Sequence, residues 1–320
     1  MSSSPADNMP LVSIIVLNWN RPEDTIEVLN DLRRQTYDNI EMVLVDNASD
    51  DGSAEKIEHS MNDVKVIRSS ENLGVPGGRN LGIENASGEI LFFIDNDAFL
   101  EEDGIKKIVE RFNDEARVGI ISCRIDDYYS GELDHGSWVY PKAQLKEARR
   151  NFETYSFCGC GFAVRRAVFD SAGLLPACFF FCREEDEFSI RAIKLGYRLL
   201  YCGDVVVRHK TSPEGRYEGP ERLTYCLRNL LITIWTHFPL RQSITMTLFR
   251  LLVYAEKGRR AGSWKVAPVG LKEAVQLMRA ASIKRNPMDG ETWKRYKDLN
   301  LNLQMHWWQI DRIRQEFGGK

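Results

Sequence analysis

The chain has 320 residues, enough for one large domain or two smaller ones and for a sizeable core. Its hydrophobic fraction of 43% and charged fraction of 28% are ordinary for a globular protein. A net charge of −3 and a pI near 6.1 give no basis for bulk electrostatic binding of nucleic acid.

Residues 1–10 are polar and lack the apolar centre of a signal peptide. Leu11 to Leu17 is a short apolar run suited to a strand buried on both faces. Pro22, followed by Glu23 and Asp24, marks a helix start, and Ile26, Leu29 and Leu32 give that helix an apolar stripe. A second strand is predicted over Ile40–Val45, ending at Asp46-Asn47. A turn at Asp50-Asp51-Gly52-Ser53 and a helix follow, then a third strand over Val64–Ile67. Gly77 to Ala86 reads as a helix, Glu89 to Ile94 as a fourth strand, Glu102 to Phe112 as a helix and Val118 to Ser122 as a strand. These repeated β-α units predict a mostly parallel sheet with helices on both faces. Ligands bind such sheets beyond the carboxyl ends of the strands. Asn18-Trp19-Asn20, Asp46-Asn47 and Asp95-Asn96-Asp97 all follow strand ends, so three polar clusters converge on one rim.

Further along, Cys158 to Val164 reads as a strand, Glu184 to Leu195 as a helix and Arg198 to His209 as a strand pair or one bent strand. Beyond Pro220 the chain is helical and more basic. Its apolar stretch between Leu227 and Ala255 is interrupted by Arg228, His237, Pro239, Arg241 and Arg250, too often for a membrane span. The seven cysteines are odd in number and irregularly spaced, which fits reduced cytosolic thiols better than a disulfide scaffold. Cys158-Gly-Cys160 and Cys178-x-x-x-Cys182 match no standard zinc spacing and read as buried cysteines.

Four constellations carry chemistry. Asp95 and Asp97, one residue apart after a buried strand, can share one hard cation such as Mg2+ or Mn2+ and offset the charge of a diphosphate. The glycines of Gly74-Val-Pro-Gly77-Gly78-Arg79-Asn80-Leu-Gly82 open a helix either as an anion site aided by Arg79 or as a tight packing loop. Arg183-Glu184-Glu185-Asp186-Glu187 is either a solvated helix start or, against the apolar segment before it, the source of a general base with a raised pKa. His209 ends an apolar strand and is either structural or a metal ligand.

In order along the chain, Val12-Ser-Ile-Ile-Val-x-Asn18-Trp-Asn20, Val45-Asp-Asn-x-Ser49-x-Asp51-Gly-Ser53, Glu71-Asn-x-Gly74, Gly78-x-Asn80-x-Gly82 and Gly88-Glu-x-x-x-Phe-x-Asp95-x-Asp97 form one pattern. Gly159-x-Gly-Phe-Ala-Val-Arg165-Arg166, the acidic helix and His209 complete it, with a weaker echo at Tyr225-x-x-Arg228-Asn229. This pattern resembles the inverting glycosyltransferases of family 2, of GT-A fold, and their bacterial rhamnosyltransferase-like branch. The resemblance implies a GT-A catalytic domain over 1–215, with a nucleotide-binding half at about 10–125 and an acceptor half at about 126–215. A helical region over 216–320 follows.

By position, the resemblance gives Asp46 the reading of the nucleotide base and places Asn18, Asn20, Asn47, Arg79, Asn80, Asp95 and Asn96 in the nucleotide site. Asp97, Asp95 and His209 fall at the Mn2+ or Mg2+ site. Cys158, Gly159, Cys160, Gly161 and Phe162 fall on the loop lining donor sugar and acceptor. The family's Glu-Asp pair maps onto Glu184-Glu185 in the register set by Phe188 and Arg191. The literal Glu-Asp dipeptide is Glu185-Asp186, so the base lies between Glu185 and Asp186, with Glu185 favoured. The implied reaction is metal-dependent hexosyl or deoxyhexosyl transfer with inversion, of the kind used in polysaccharide biosynthesis. The donor is a UDP- or dTDP-sugar, and the acceptor hydroxyl belongs to a glycan, a lipid-linked molecule or a secondary metabolite. The implied setting is cytoplasmic. The apolar and basic segments Leu227–Trp235 and Met246–Tyr254 read as helices packed on the catalytic domain or, alternatively, as membrane-surface helices at the inner face of the membrane. Trp307-Trp308 fits core, a homodimer contact or an interfacial anchor. A sugar-1-phosphate nucleotidyltransferase would need a glycine-rich basic loop where Asn18-Trp-Asn-Arg-Pro22 stands. A non-catalytic nucleotide-sugar-binding module would dispense with the acids that are present.

Overall fold

The structure, a computed structural model, describes residues 9–211 and 219–300. Trp307 and Trp308 lie outside the described residues. The sheet is laid down by β1 (Val12–Asn18), β2 (Ile40–Asp46), β3 (Val64–Arg68) and β4 (Ile90–Asp95), all mutually parallel where they pair. Helices α1 (Pro22–Leu32), α2 (Ser53–Ser60) and α3 (Gly74–Asn85) connect them. Pro22 stands in the first turn of α1, where its missing N–H costs nothing, and Glu23 and Asp24 suit the positive end of the helix.

The second half changes direction. β5 (Ala98–Leu100), α4 (Gly104–Asp114), β6 (Val118–Asp127), β7 (Phe152–Thr154), β8 (Gly161–Arg165), α5 (Arg166–Ala172), α6 (Glu184–Lys194) and β9 (Arg198–His209) follow. Strand order is β3-β2-β1-β4-β8-β6-β9-β5, with β7 also on β9. β8 runs antiparallel to both β4 and β6, and β9 runs antiparallel to β5 and β7 but parallel to β6. The sheet is therefore mixed, a GT-A-like α/β fold, with its parallel character concentrated in the first half. β5, β7 and α5 were not read from the sequence, because three-residue strands and a two-turn helix are too short to show a period. β9 is one bent strand. Its pairing with β6 jumps from Cys123↔Cys202 to Arg124↔Val206, and the residues between them bulge out.

Alternate residues of the central strands feed two cores. Ile14, Val16, Leu44 and Phe92 pack on one face, against Val28, Leu29 and Ile108 of the helices. Ile15, Val43, Leu91 and Phe93 pack on the other, with Phe162, Phe169 and Phe188. Phe93 stacks on Phe162 at 4.6 Å between ring centres.

The C-terminal region forms α7 (Gly219–His237), α8 (Leu240–Arg260), α9 (Val266–Ala280) and α10 (Gly290–Leu299). Leu227, Leu231 and Ile232 of α7 are buried with Val253, Tyr254 and Val266 in a third core. Among the described residues no helix is long and apolar enough to cross a membrane. Cys123, Cys158, Cys160 and Cys202 are buried thiols, whereas Cys178 is exposed. The expectation that all seven cysteines are reduced is corrected by one pair. Cys182, before α6, and Cys226, on α7, are joined with their Cα atoms 5.5 Å apart. Forty-four residues separate them in sequence, so only folding makes them neighbours.

Candidate active site

The pairing of β1 with β2 and β4 sets Asn18 opposite Asp46 and Leu17 opposite Asp95, so the polar ends of three strands share one rim. There, Asn18 donates to Asp46 at 2.8 Å, and the Ser49 hydroxyl and amide donate to the same carboxylate at 2.7 and 3.0 Å. Thr25 donates to Asn18 at 2.7 Å and accepts from Asn96 at 3.0 Å. Asn20, with φ +54°, donates its amide to Ser49 and accepts from the Asp50 amide. Asn47 binds the next loop, donating to the Gly74 carbonyl and accepting from the Leu73 amide. Asn18, Asp46, Asn47 and Thr25 are all nearly or fully buried. Burial is tolerable because each polar group has its partner.

At the start of α3 the geometry favours the packing reading of the glycines. The first two amides of this helix are already bonded. The Gly74 amide donates to Asn72 at 2.9 Å and the Val75 amide to the Phe180 carbonyl at 2.7 Å. Gly74 also touches the backbone of Phe180 so closely that a β-carbon would collide, so the glycine is a packing requirement. Asn80 is committed in the same way. It donates to the Leu175 carbonyl at 2.9 Å and accepts from the Leu175 amide at 3.0 Å, clamping that loop rather than facing solvent.

At the end of β4, the Asp97 carboxylate lies 3.3 Å from Arg21 and 3.4 Å from Nε2 of His209. His209 reaches this place because β9 pairs it with Ala98. Its Nδ1 lies 3.5 Å from Asp134, a residue the sequence reading did not single out. Burial pushes the Asp134 carboxyl up, but hydrogen bonds from Ser137 and the Gly136 amide and the nearby His209 hold it below the ordinary range. Asp95, Cys160 and His209 each bring one potential ligand atom within 4.8 Å of one another. Oxygen and nitrogen donors with buried walls fit a divalent cation such as Mn2+ or Mg2+, and the Cys160 sulfur would add a softer donor.

Arg79 is the hub beside this site. Its guanidinium donates to Asp95 at 3.0 Å and to the Gly159 carbonyl at 2.7 Å, and lies over the Phe162 ring. Glu184 and Glu185 approach its other nitrogen at 3.7 and 3.8 Å. That nitrogen and Oε2 of Glu184 have no hydrogen-bond partner among the described residues, although Arg79 and Glu184 are buried. Burial, then repulsion by Glu184, pushes the Glu185 carboxyl well above the usual glutamate range against the pull of Arg79. Burial likewise raises Glu184 and Asp95, with Arg79 opposing in both cases.

The three candidate acids therefore differ in surroundings. Glu184 points inward and is 2% exposed. Asp186 is tied to Ser156 at 2.7 Å and to Arg183 at 2.8 Å. Glu185 faces Gly159 so closely that a β-carbon there would strike its carboxylate. Gly161 and Phe162 continue into β8, and Cys158 is fixed by its amide to Ser122 at 3.0 Å, so this loop is held from both ends.

Sequence reading missed what holds the acidic helix. The segment before it carries positive φ at Phe180, Cys182 and Arg183. Asn229 of α7, fully buried, donates to the carbonyls of Phe179, Phe181 and Cys182 at 3.1, 2.8 and 2.7 Å. Arg228 donates to Phe179 at 2.6 Å. The Tyr225-x-x-Arg228-Asn229 echo was the available signal, but its partners lie some fifty positions earlier.

Known proteins share this architecture. The chain is 26% identical over 216 residues to the glycosyltransferase AglE of Haloferax volcanii, covering 65% of this chain and 69% of that protein. An uncharacterized protein of Haemophilus influenzae is 26% identical over 181 residues, which is 53% of this chain and 95% of that one. Among solved structures, the mannosyltransferase PcManGT of Pyrobaculum calidifontis, in complex with GDP-Man and Mn2+, superposes with a TM-score of 0.56 at 19% identity, covering 88% of this chain and 77% of that one. GalNAc-T7 with UDP, GalNAc and Mn2+ gives a TM-score of 0.64 at 16% identity, over 91% of this chain and 56% of that one. These two likenesses show the fold. The model of Glycosyl transferase family 2 matches residues 13–173, half of the chain, and this protein therefore belongs to that glycosyltransferase family.

Proposed function

We propose that this glycosyltransferase moves a hexosyl or deoxyhexosyl group from a nucleoside-diphosphate donor, of UDP or dTDP type, to an acceptor hydroxyl with inversion, as in the rhamnosyltransferase-like branch. The observation that carries this reading is Glu185, a carboxylate with a raised pKa facing Gly159 beside Arg79 and Asp95. Residues 1–215 would form the catalytic unit and 216–320 a helical unit beside it, acting on the cytoplasmic side of a membrane.

Asp46 with Asn18, Asn20 and Asn47 would hold the base and ribose, since these groups already form a fixed network at the strand ends. Asp95, Asp97 and His209 would hold Mn2+ or Mg2+, which when bound offsets the charge of the departing diphosphate. Arg79 would add a fixed positive charge beside that oxyanion, and the nitrogen that makes no hydrogen bond among the described residues would be its donor. The loop Cys158 to Phe162 would line the sugar. Glu185 takes the proton of the acceptor hydroxyl as its oxygen bonds to the anomeric carbon, and the bond to the diphosphate oxygen breaks on the opposite face. One displacement inverts that carbon. A raised pKa suits this task, because a base works best when its pKa approaches the working pH.

The test is a melting-temperature screen of UDP, dTDP and their sugars, each with and without Mn2+, followed by NMR of the product's anomeric proton. A ligand that binds only the folded state raises the melting temperature. A metal-dependent shift, lost in Asp97→Ala, with an inverted product, supports the reading. A product that keeps the donor's anomeric configuration overturns inversion, and no shift with any nucleotide overturns the donor class.

A further inference from the structure

α8 carries an apolar face that no described part of the chain covers. Leu240, Ile244, Leu248 and Leu252 recur at four-residue intervals and are 58%, 47%, 61% and 71% exposed. Residues so spaced lie over one another on a helix, so the four make a single stripe about 18 Å long. The other side of the same helix, with Ser243, Thr247, Val253 and Tyr254, is buried. Trp264, in the turn to α9, is 73% exposed, and Leu271 and Val275 of α9 extend the outward apolar set. Single exposed leucines need no explanation, but four aligned on one helix, beside further exposed apolar residues on the helix packed against it, mark a contact surface.

Charge identifies the partner. Residues 240–280 contain eight Lys and Arg against two Glu, in a chain whose net charge is −3. Both acids are already engaged, Glu256 by Arg259 and Arg260 and Glu273 by Arg228. Arg241 on α8, Lys265 in the turn, and Lys272 and Arg279 on α9 are exposed on the same elements that carry the apolar set. Two copies meeting through this face would bring like-charged rims together, because a twofold interface sets the same patch against itself. An anionic bilayer meets both needs, with phosphate groups for the rim and the acyl boundary for the stripe.

We propose that the outward face of α8 and α9 docks this enzyme on an anionic lipid surface. The run Leu227–Trp235 is not the contact, since α7 buries most of its apolar residues in the core. α7 stands between the docking helices and the loop before Glu184, which Asn229 holds. The proposal names the partner surface of the proposed transferase, but docking itself does not depend on the sugar chemistry.

The experiment is sedimentation of the full chain with vesicles of phosphatidylcholine alone and with vesicles that also contain phosphatidylglycerol. The protein is expected on the anionic vesicles and not on the neutral ones, with partition falling as salt rises. Leu248→Ser with Leu252→Ser should lower partition more than about tenfold. Arg241→Gln and Lys265→Gln should each lower it about fivefold. Because these side chains are exposed, the melting temperature and its shift with nucleotide should stay unchanged, which separates failed docking from a failed donor site. Absence from both vesicles, or partition untouched by the serine pair, overturns the proposal. So does a concentration-dependent dimer that the serine pair dissolves, since the second copy would then be the occupant.

Discussion

On the parallel side of the sheet, Asn18, Asp46, Ser49, Thr25 and Asn96 satisfy one another through a chain of hydrogen bonds between 2.7 and 3.0 Å. On the antiparallel side, Asp95, Glu184 and Glu185 crowd one cation, Arg79, and two buried atoms of this group make no hydrogen bond among the described residues. The first region is a finished network, fixed before any ligand arrives. The second is electrostatically strained, because burial holds its three carboxyls above their ordinary range against the pull of Arg79. A site that binds the constant part of a ligand gains from rigidity, whereas a site that moves a proton needs a group held away from its ordinary equilibrium.

The largest expected effect tests the strained side. Glu185→Gln should reduce turnover by about 10²–10⁴-fold while the donor-induced melting shift persists. Asp186→Asn, which loses only part of its ties to Ser156 and Arg183, should reduce it far less, and steady-state kinetics showing the reverse order would transfer the base to Asp186.

Arg79→Met should cost about 3–5 kcal/mol in denaturant unfolding, because it leaves buried acids without their cation. Adding Glu184→Gln should restore part of that loss, and strict additivity of the two changes would show that the hub is not coupled. Asn229→Ala removes the hydrogen bonds to the carbonyls of Phe179, Phe181 and Cys182, of which Phe179 keeps Arg228, for about 1–3 kcal/mol. Its turnover should fall more than its donor affinity, since the loop precedes the acidic helix. On the satisfied side, Thr25→Val takes a partner from the buried amides of both Asn18 and Asn96 and should also cost about 1–3 kcal/mol, read from the same unfolding curves.

The last prediction is a pH trend. Glu185 has a folded pKa above its unfolded one, so the stability tied to its protonated form is complete below the ordinary glutamate range and is lost as pH rises through the folded value. Glu185→Gln lacks this loss. The melting temperature of the variant should therefore gain on the parent as pH rises, and a difference independent of pH would contradict the raised pKa.

Much of the parallel half was legible in the chain, because β1 and β4 are apolar runs buried on both faces and α1 carries an apolar stripe. The strand-end polar groups were legible for the same reason, since the α/β rule places them on one rim whatever their partners. The antiparallel half was less so. β5 and β7 are too short to show a period, and the bend of β9 depends on a pairing jump that no local signal announces.

Sequence by itself determined which residue types stand at strand ends, because alternation and punctuation are local properties of the chain. Only the tertiary structure decided that Arg79 meets three acids, that α3 is capped by Asn72 and Phe180, that Cys182 bonds Cys226, and that α7 is buried while α8 faces outward. Most of those contacts join residues tens to a hundred positions apart, and both they and the choice of buried helix depend on how whole elements pack.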